Sequence, residues 1–403
     1  MLVGVTNILL TDPTVTQDSF RVDVRCESVD VNGVVLHDLT DFFIPEGSQL
    51  ERNSCATQDA LTGRLHFGFT REEIRDVFDA DTVAWSQLRL RVSMRLAAGD
   101  RVTDWVSLGV LLPETPSLMA DQTPLLFAVD CHDVIHGLAE PTNGTLGIAG
   151  GTPVGQAIDS LFNIETLAGS PSAKPLQLQR DFALTSISVP LKSDRQWIID
   201  ENTTWLLIID QLLESAGWLP PWVNRDGVLT SAPWVAPSPG AQIELVLDDD
   251  PRTSVVALGA ANKSDTYGVP NQFTYIATDF DPDATDTPVE GNGITTRANL
   301  DVGPSSQQAR GRVIASVVRV DAVDQASLEA IADRDFLASV TPAKTLCLEV
   351  APQPLPWHRG IVEVTINDLG IVGERFMVRE WSMPLDGGDC RIVLDGISDV
   401  GED

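Results

Sequence analysis

The chain has almost no lysine. Of 27 basic side chains in 403 residues only Lys174, Lys192, Lys263 and Lys344 are not arginine, and 58 acidic residues leave a formal net charge of −31. That deficit argues against tight binding of a nucleic-acid backbone, which needs Lys and Arg to displace counterions. It fits high solubility, a cationic partner, or a surface that must not hold a polyanion. The preference for arginine is compatible with a GC-rich genome. Cysteine is scarce too. Cys26, Cys55, Cys131, Cys347 and Cys390 are odd in number and scattered, with no C-x-x-C pair, so buried free thiols are expected rather than a disulfide framework. No apolar stretch approaches the roughly 18 residues that span a bilayer, so membrane insertion is not expected. The opening "MLVGVTNILLTDP" has no basic leader and a short apolar run, and reads as a first strand of a protein made and assembled in a cytoplasm. There is no G-x-S-x-G elbow, no phosphate-binding glycine loop and no cysteine with a plausible local partner. No catalytic residue and no cofactor is expected.

What is present is strand pattern. Hydrophobic content of 43% marks a globular chain, long enough for two to four modules with real cores. Residues 1–128 are dominated by alternation of period two, as in "FRVDVRCESVDV" from Phe20, "GRLHFGF" and "LRLRVSMRL", the mark of half-buried strands in a barrel or sandwich. "TREEIRDVFDADTVAW" interrupts them with room for a short helix, and "WVSLGVLLPETP" and "PLLFAVDCHD" are further strands.

From 129 to 241 the texture becomes mixed. "GTPVGQAIDSLFNI" carries a helix start at Thr152-Pro153 with Val154, Ile158, Leu161 and Phe162 on one face. A second helix is capped by Thr203 or Thr204, runs through Leu213 and ends at Gly217, with a hairpin turn at Asp226-Gly227 beyond it. The third region, 242–403, returns to strands at "QIELVLDDD", "TSVVALG" and "NQFTYIAT". It has a long acidic loop over about 279–305 and a helix over about 325–340 bearing Leu328, Ile331, Phe336 and Leu337. It closes with "KTLCLEVAP", "GIVEVTI", "RFMVREWSMPL" and "CRIVLDG", the last two joined at Asp386-Gly387-Gly388-Asp389. The predicted fold is mainly β with an α+β insert.

Two stretches imitate metal sites. "AVDCHDVIHGL" places His132 and His136 four apart, a zinc pair if helical. The zinc-protease motif needs Glu as its second residue, where Asp133 stands, and no third ligand is evident. The competing reading is a strand end turning into a loop, its polar groups bonded locally. Asp279, Asp281, Asp283 and Glu290 match positions of a calcium loop, yet Ala284 replaces the required glycine, and flanking helices are lacking. A solvated acidic loop is the plainer reading. Nine tryptophans, among them Trp205, Trp218, Trp222 and Trp234, would suit a sugar platform, but their apolar surroundings favour core or subunit contacts.

Taken in order, these landmarks resemble the tail hub (baseplate hub, "minor tail") proteins of long-tailed bacteriophages. The resemblance rests on "CATQDALTGRLHFGF", on "VSLGVLLPETP" followed by "LLFAVDCHDVIHGL", on the two helix units, on "VPNQFTY", and above all on the closing run from helix 325–340 through "LEVAPQPLPWHRGIVEVTI" to "ERFMVREWSMPL". Gly360 is followed by Ile361 where the family pattern has Asp. The resemblance implies two tube-like β-barrel domains, 1–128 and 242–403, around a helix-containing middle region. It also implies a homotrimer at the virion tail tip, a ring adapting a hexameric tail tube to a threefold tip. Its partners would be a distal tail protein or tube ring, tail tip or fibre proteins, and the tape-measure protein, with DNA only in transit through the lumen. An acidic wall would let a polyanion slide, and Asp23, Glu27, Glu349 and Glu363 are candidates to line it; solubility is the competing account of the charge. The alternative function is a tail-tip protein that binds carbohydrate or degrades cell wall, supported only by the tryptophans and the abundant carboxylates.

Overall fold

The computed structural model describes residues 20–54, 60–69, 88–98, 101–114, 117–119, 125–142, 146–163, 168–169, 175–191, 197–199, 203–233, 242–249, 256, 261–264, 269–278, 293–301, 305–320, 322, 324–340 and 344–397. The first strand expected in residues 1–13, the helix expected within 70–85 and most of "TSVVALG" fall outside them.

Period-two alternation becomes strand where it was expected. The N-terminal part supplies β1 (Phe20–Val29), β2 (Val35–Asp38), β3 (Phe43–Asn53), β4 (Leu61–Phe69), β5 (Arg89–Ala98), β6 (Arg101–Val102), β7 (Val106–Pro113), β8 (Ser117–Met119) and β9 (Leu125–Asp133). The boundary expected at 128 therefore falls inside β9. The middle part holds β10 (Leu146–Ile148), α1 (Val154–Phe162), β11 (Ala168–Gly169), α2 (Phe182–Thr185), β12 (Trp197–Ile199), α3 (Trp205–Ser215), β13 (Trp222–Val223) and β14 (Leu229–Thr230). The C-terminal part adds β15 (Ile243–Asp248), β16 (Ala261–Ser264), β17 (Gln272–Ala277), β18 (Ile294–Ala298), α4 (Gln307–Arg310), β19 (Ala315–Val320), α5 (Gln325–Val340), β20 (Lys344–Val350), β21 (Ile361–Ile366), β22 (Ile371–Pro384) and β23 (Cys390–Gly396).

Strands from both ends of the chain share one 15-stranded sheet, in the order β16-β20-β23-β22-β3-β4-β9-β7-β5-β1-β2, with β15 entering through β21. Strand β22 is the splice. Its first part pairs with β21, its middle with β23, and Glu380–Pro384 pair with Gln49–Asn53 of β3. Register shifts on β22, between Val378 and Glu380 against β23, and on its partner β21, between Val364 and Ile366, accommodate the change of neighbours. One apolar core runs beneath both halves, from Cys26, Leu90 and Met94 through Leu50 and Leu65 to Phe376, Ile392 and Leu394. Where β7 crosses this core, Gly109 takes a φ of 140°, and a Cβ there would run into the Leu61 side chain.

The middle part has its own core. Helix α1 buries Val154, Ile158 and Leu161, and α3 buries Trp205, Ile209 and Leu212. Thr204 caps α3, its hydroxyl accepting from the Leu207 N–H at 3.2 Å, and Gly217 follows the helix with a φ of 72°.

The expected acidic loop 279–305 is corrected in part. Within it Ile294–Ala298 form β18, which pairs with β17, and β17 pairs in parallel with β19. This three-stranded sheet is separate from the large one, so "NQFTYIAT" is not a strand of the main sheet. It packs Phe273 and Tyr275 on Leu328 and Ile331 of α5. Asn271 ties its end: the side chain donates to the carbonyls of Ser305 and Arg312 and accepts from the Ile314 N–H.

Candidate assembly surfaces

The histidines of "AVDCHDVIHGL" are not on an α-helix. His132 lies in β9 and His136 in a short 3-10 helix over Val134–Leu138. Their rings stack, centroids 4.5 Å apart, and His132 Nε2 is 2.7 Å from Glu114 Oε1. Asp133 is buried and its carboxylate accepts from the Ile135 N–H at 3.3 Å, an N-cap. The segment thus has the form of a strand end turning into a locally bonded loop. Among the described residues no three His, Cys, Asp or Glu side chains come together as a metal site. Asp279, Asp281, Asp283 and Glu290 lie outside the described residues. Burial pushes the thiols of Cys26 and Cys131 well up, and that of Cys390 to about 12, which makes them poor nucleophiles.

The outer faces of the large sheet carry the chemistry instead. In β1 and β5 the inward positions are apolar except Ser28, and the other face forms a ladder of Arg21, Arg25, Arg89, Arg91 and Arg95 against Asp23 and Glu27. Arg95 Nε donates to Asp23 at 3.0 Å, and Arg91 Nη2 to Glu27 at 2.9 Å. Burial works against the Asp23 charge, yet hydrogen bonds from Arg21 and Arg95 hold its carboxyl below the usual range. The guanidinium groups of Arg25 and Arg95 both lie over the Trp105 ring, at 4.8 and 4.6 Å. Asp23 and Glu27, expected as acidic lumen residues, are therefore the paired minority of an arginine-rich face.

The other two candidates lie elsewhere. Glu349 is exposed and begins a cross-strand row, Glu349–Arg391–Ser382–Glu51–Thr62–His132, that traverses both halves of the sheet. Exposed Asp130 and Glu114 flank its far end. Glu363 is half-buried on β21, opposite Arg375 of β22 and Val246 of β15.

Beneath these faces a proline-rich strap, Ala351–Pro356, is buried between the two halves and the middle part. It leads to Trp357, whose indole N–H donates to the Val223 carbonyl at 2.9 Å. Arg52 and Arg225 lie over the Trp357 ring at 4.0 and 5.0 Å, and Trp381 donates to the Pro356 carbonyl. Arg225 also donates to the Ser107 and Leu355 carbonyls, so one side chain touches β7 and the strap. Burial lowers both guanidinium groups to about 10, still charged at neutral pH. His358 stacks on Trp222 at 4.3 Å and faces Arg52; burial and the nearby arginines hold it neutral, lowered to about 3. Nothing in the strap's spelling except its density of Pro and Trp marks it as a junction.

No protein-family model and no curated protein matches the chain. Solved structures do. The chain is similar over 94% of its length to a tail protein from Neisseria meningitidis MC58, covering 96% of that chain at 13% identity and a TM-score of 0.54. It is similar to the 43 kDa tail protein of prophage MuSo2 from Shewanella oneidensis, over 93% of this chain and 98% of that one, at 11% identity and a TM-score of 0.54. A third likeness, to a chain of the Francisella PdpA–VgrG complex, covers 95% of this chain and 54% of that one at 9% identity and a TM-score of 0.55. The fold is that of these two tail proteins and of the PdpA–VgrG complex chain.

Proposed function

We propose that the protein is a structural tail hub without catalytic activity, a trimeric ring between the tube and the tip of a phage tail. The observation that carries this reading is the splicing of strands from both halves of the chain into one sheet through β22, in a fold shared over more than nine-tenths of the chain with two solved tail proteins, one of them from a prophage. In this reading each half of the sheet is one tube-like barrel wall, so three subunits place six such walls around a lumen. The cross-strand row from Glu349 to His132 crosses both walls, and its carboxylates make it a better lumen face than the arginine ladder, which would hold a polyanion. Tube ring, tip or fibre proteins and the tape-measure protein are the expected neighbours, and DNA passes without being held. The carbohydrate-binding alternative gains nothing from these tryptophans: Trp205 is buried in α3, the Trp357 and Trp381 indoles donate to the Val223 and Pro356 carbonyls, Trp222 stacks on His358, and two arginines lie over Trp105.

Light scattering of the purified protein, alone and with its tail neighbours, tests the reading. A threefold mass, or a ring between tube and tip in particle images, is the expected result. A chain that stays monomeric in both settings, or one that cleaves peptidoglycan, overturns it.

A further inference from the structure

Two edges of the large sheet, β2 and β15, differ in character. Strand β2 pairs only with β1 among the described residues, and all four of its residues are exposed. It has neither the lysine nor the proline that commonly blunts an open edge. Val34, Val35 and Leu36 are exposed there, Leu36 at 56%; β2 runs beside Glu27–Val29 of β1, with Arg25 and Arg91 next to it and Arg21, 74% exposed at its side chain, farther along the ladder. The second edge is β15, on the branch that enters through β21; among the described residues it pairs only with β21, in parallel. Its inward Leu245 and Leu247 belong to the core, and it presents Val246, 43% exposed, and Asp248 outward. Asp249, Glu363 and the exposed Val372 lie close in the pairing pattern, so this edge is apolar and acidic where the first is apolar and arginine-rich.

We infer that these two edges are the two halves of one contact. The β2 edge and arginine ladder of one subunit receive the β15 edge of a second copy of this chain, head to tail. The charge decides the occupant. Copies that each carry −31 repel over most of their surface, so close approach is favoured where one of them offers arginine in excess and the other carboxylate. An open edge supplies backbone hydrogen bonds to an added strand, with Leu36 and Val246 as apolar contacts at the seam. A contact between two different patches is heterologous, and it closes into a ring or runs on as a filament. The inference rests on the trimeric reading above and names the surface that would build it.

The test combines cross-linking with charge exchange on the full chain. Leu36→Cys and Val246→Cys variants are mixed and treated with a short bismaleimide, each variant alone and the wild type serving as controls. The expected result is a cross-linked dimer that appears only in the mixture. Arg21→Glu with Arg25→Glu raises the concentration at which the assembly dissociates about tenfold or more, and Asp248→Lys with Asp249→Lys on the second partner restores it. Circular dichroism and the melting temperature show whether each variant is folded. Trimers by light scattering, with no mixed cross-link and no response to charge reversal, overturn this surface and leave the trimeric reading standing. Cross-linking of Leu36→Cys to itself overturns the head-to-tail arrangement, and monomers at every concentration, alone and with the tail neighbours, overturn both.

Discussion

His358 is a histidine with no freedom to ionise. It is stacked on Trp222, faces Arg52, and is lowered to about 3. In the unfolded chain it would take a proton near pH 6.5. Between about pH 6.5 and 3 the unfolded state therefore binds one more proton than the folded state, and stability falls on acidification at up to about 1.4 kcal/mol per pH unit from this group. His358→Gln should flatten that slope in urea melts run from pH 7 to pH 4, whatever its effect on stability at pH 7. An unchanged slope would mean that the folded protein admits the proton. Asn271 makes a second prediction at this scale. Its side chain satisfies two carbonyls and one N–H at the mouth of the small sheet. Asn271→Ala orphans all three, at a cost of about 2–4 kcal/mol. Faster amide exchange at Ile314 than in the large sheet would place the damage.

Among the elements, α3 shows how the pieces of a helix share its stability. Thr204 caps it and Trp205, the next residue, is fully buried. Thr204→Ala should cost about 1 kcal/mol, whereas Trp205→Ala opens a cavity in the middle core and should cost about 3–5 kcal/mol. Thermal melts of the two variants give the comparison, and a larger loss from the cap than from the tryptophan would contradict the packing described. This helix was legible in the sequence because cap, apolar spacing and terminal glycine agree. The strands β1, β4 and β5 were legible for a similar reason: each has one buried face, and period two writes that face into the chain. The small sheet was not. "ITTRA" is five residues long, polar, and set among Asp, Gly and Pro, so composition reads as loop while pairing with β17 makes it β18. "ASVVRV" was likewise passed over, because a short strand at the margin of a sheet owes its form to its neighbours more than to its own residues.

For the whole molecule the order of modules was written in the sequence, but the joining of the halves was not. Nothing in "RFMVREWSMPL" says that its last residues pair with β3, more than 300 positions earlier in the chain. Such pairings depend on the closure of long loops, which local pattern does not encode. The candidate surfaces were equally mixed. Glu349 was named as a candidate to line a lumen, and it is exposed. The arginine ladder was hidden because the net charge of the chain drew attention to its acids, although every other residue of "RVDVRCE" is charged. At this scale the expected assembly depends on salt. If arginine and carboxylate edges meet, raising ionic strength from about 0.05 M to 0.5 M should weaken the trimer in sedimentation runs, since exposed charge pairs are screened beyond a few ångströms at high salt. A trimer strengthened by salt would point to apolar contact alone.

The splice at β22 has a mechanical meaning. Because Glu380–Pro384 and Gln49–Asn53 lie side by side in antiparallel register, a load drawing the two halves apart along the strands must break those hydrogen bonds together, in shear. Peeling them one at a time would need a pull across the strands. In the proposed hub, DNA driven through the tail would load the chain in the first way, and β22, paired on both sides of the splice, would carry that load.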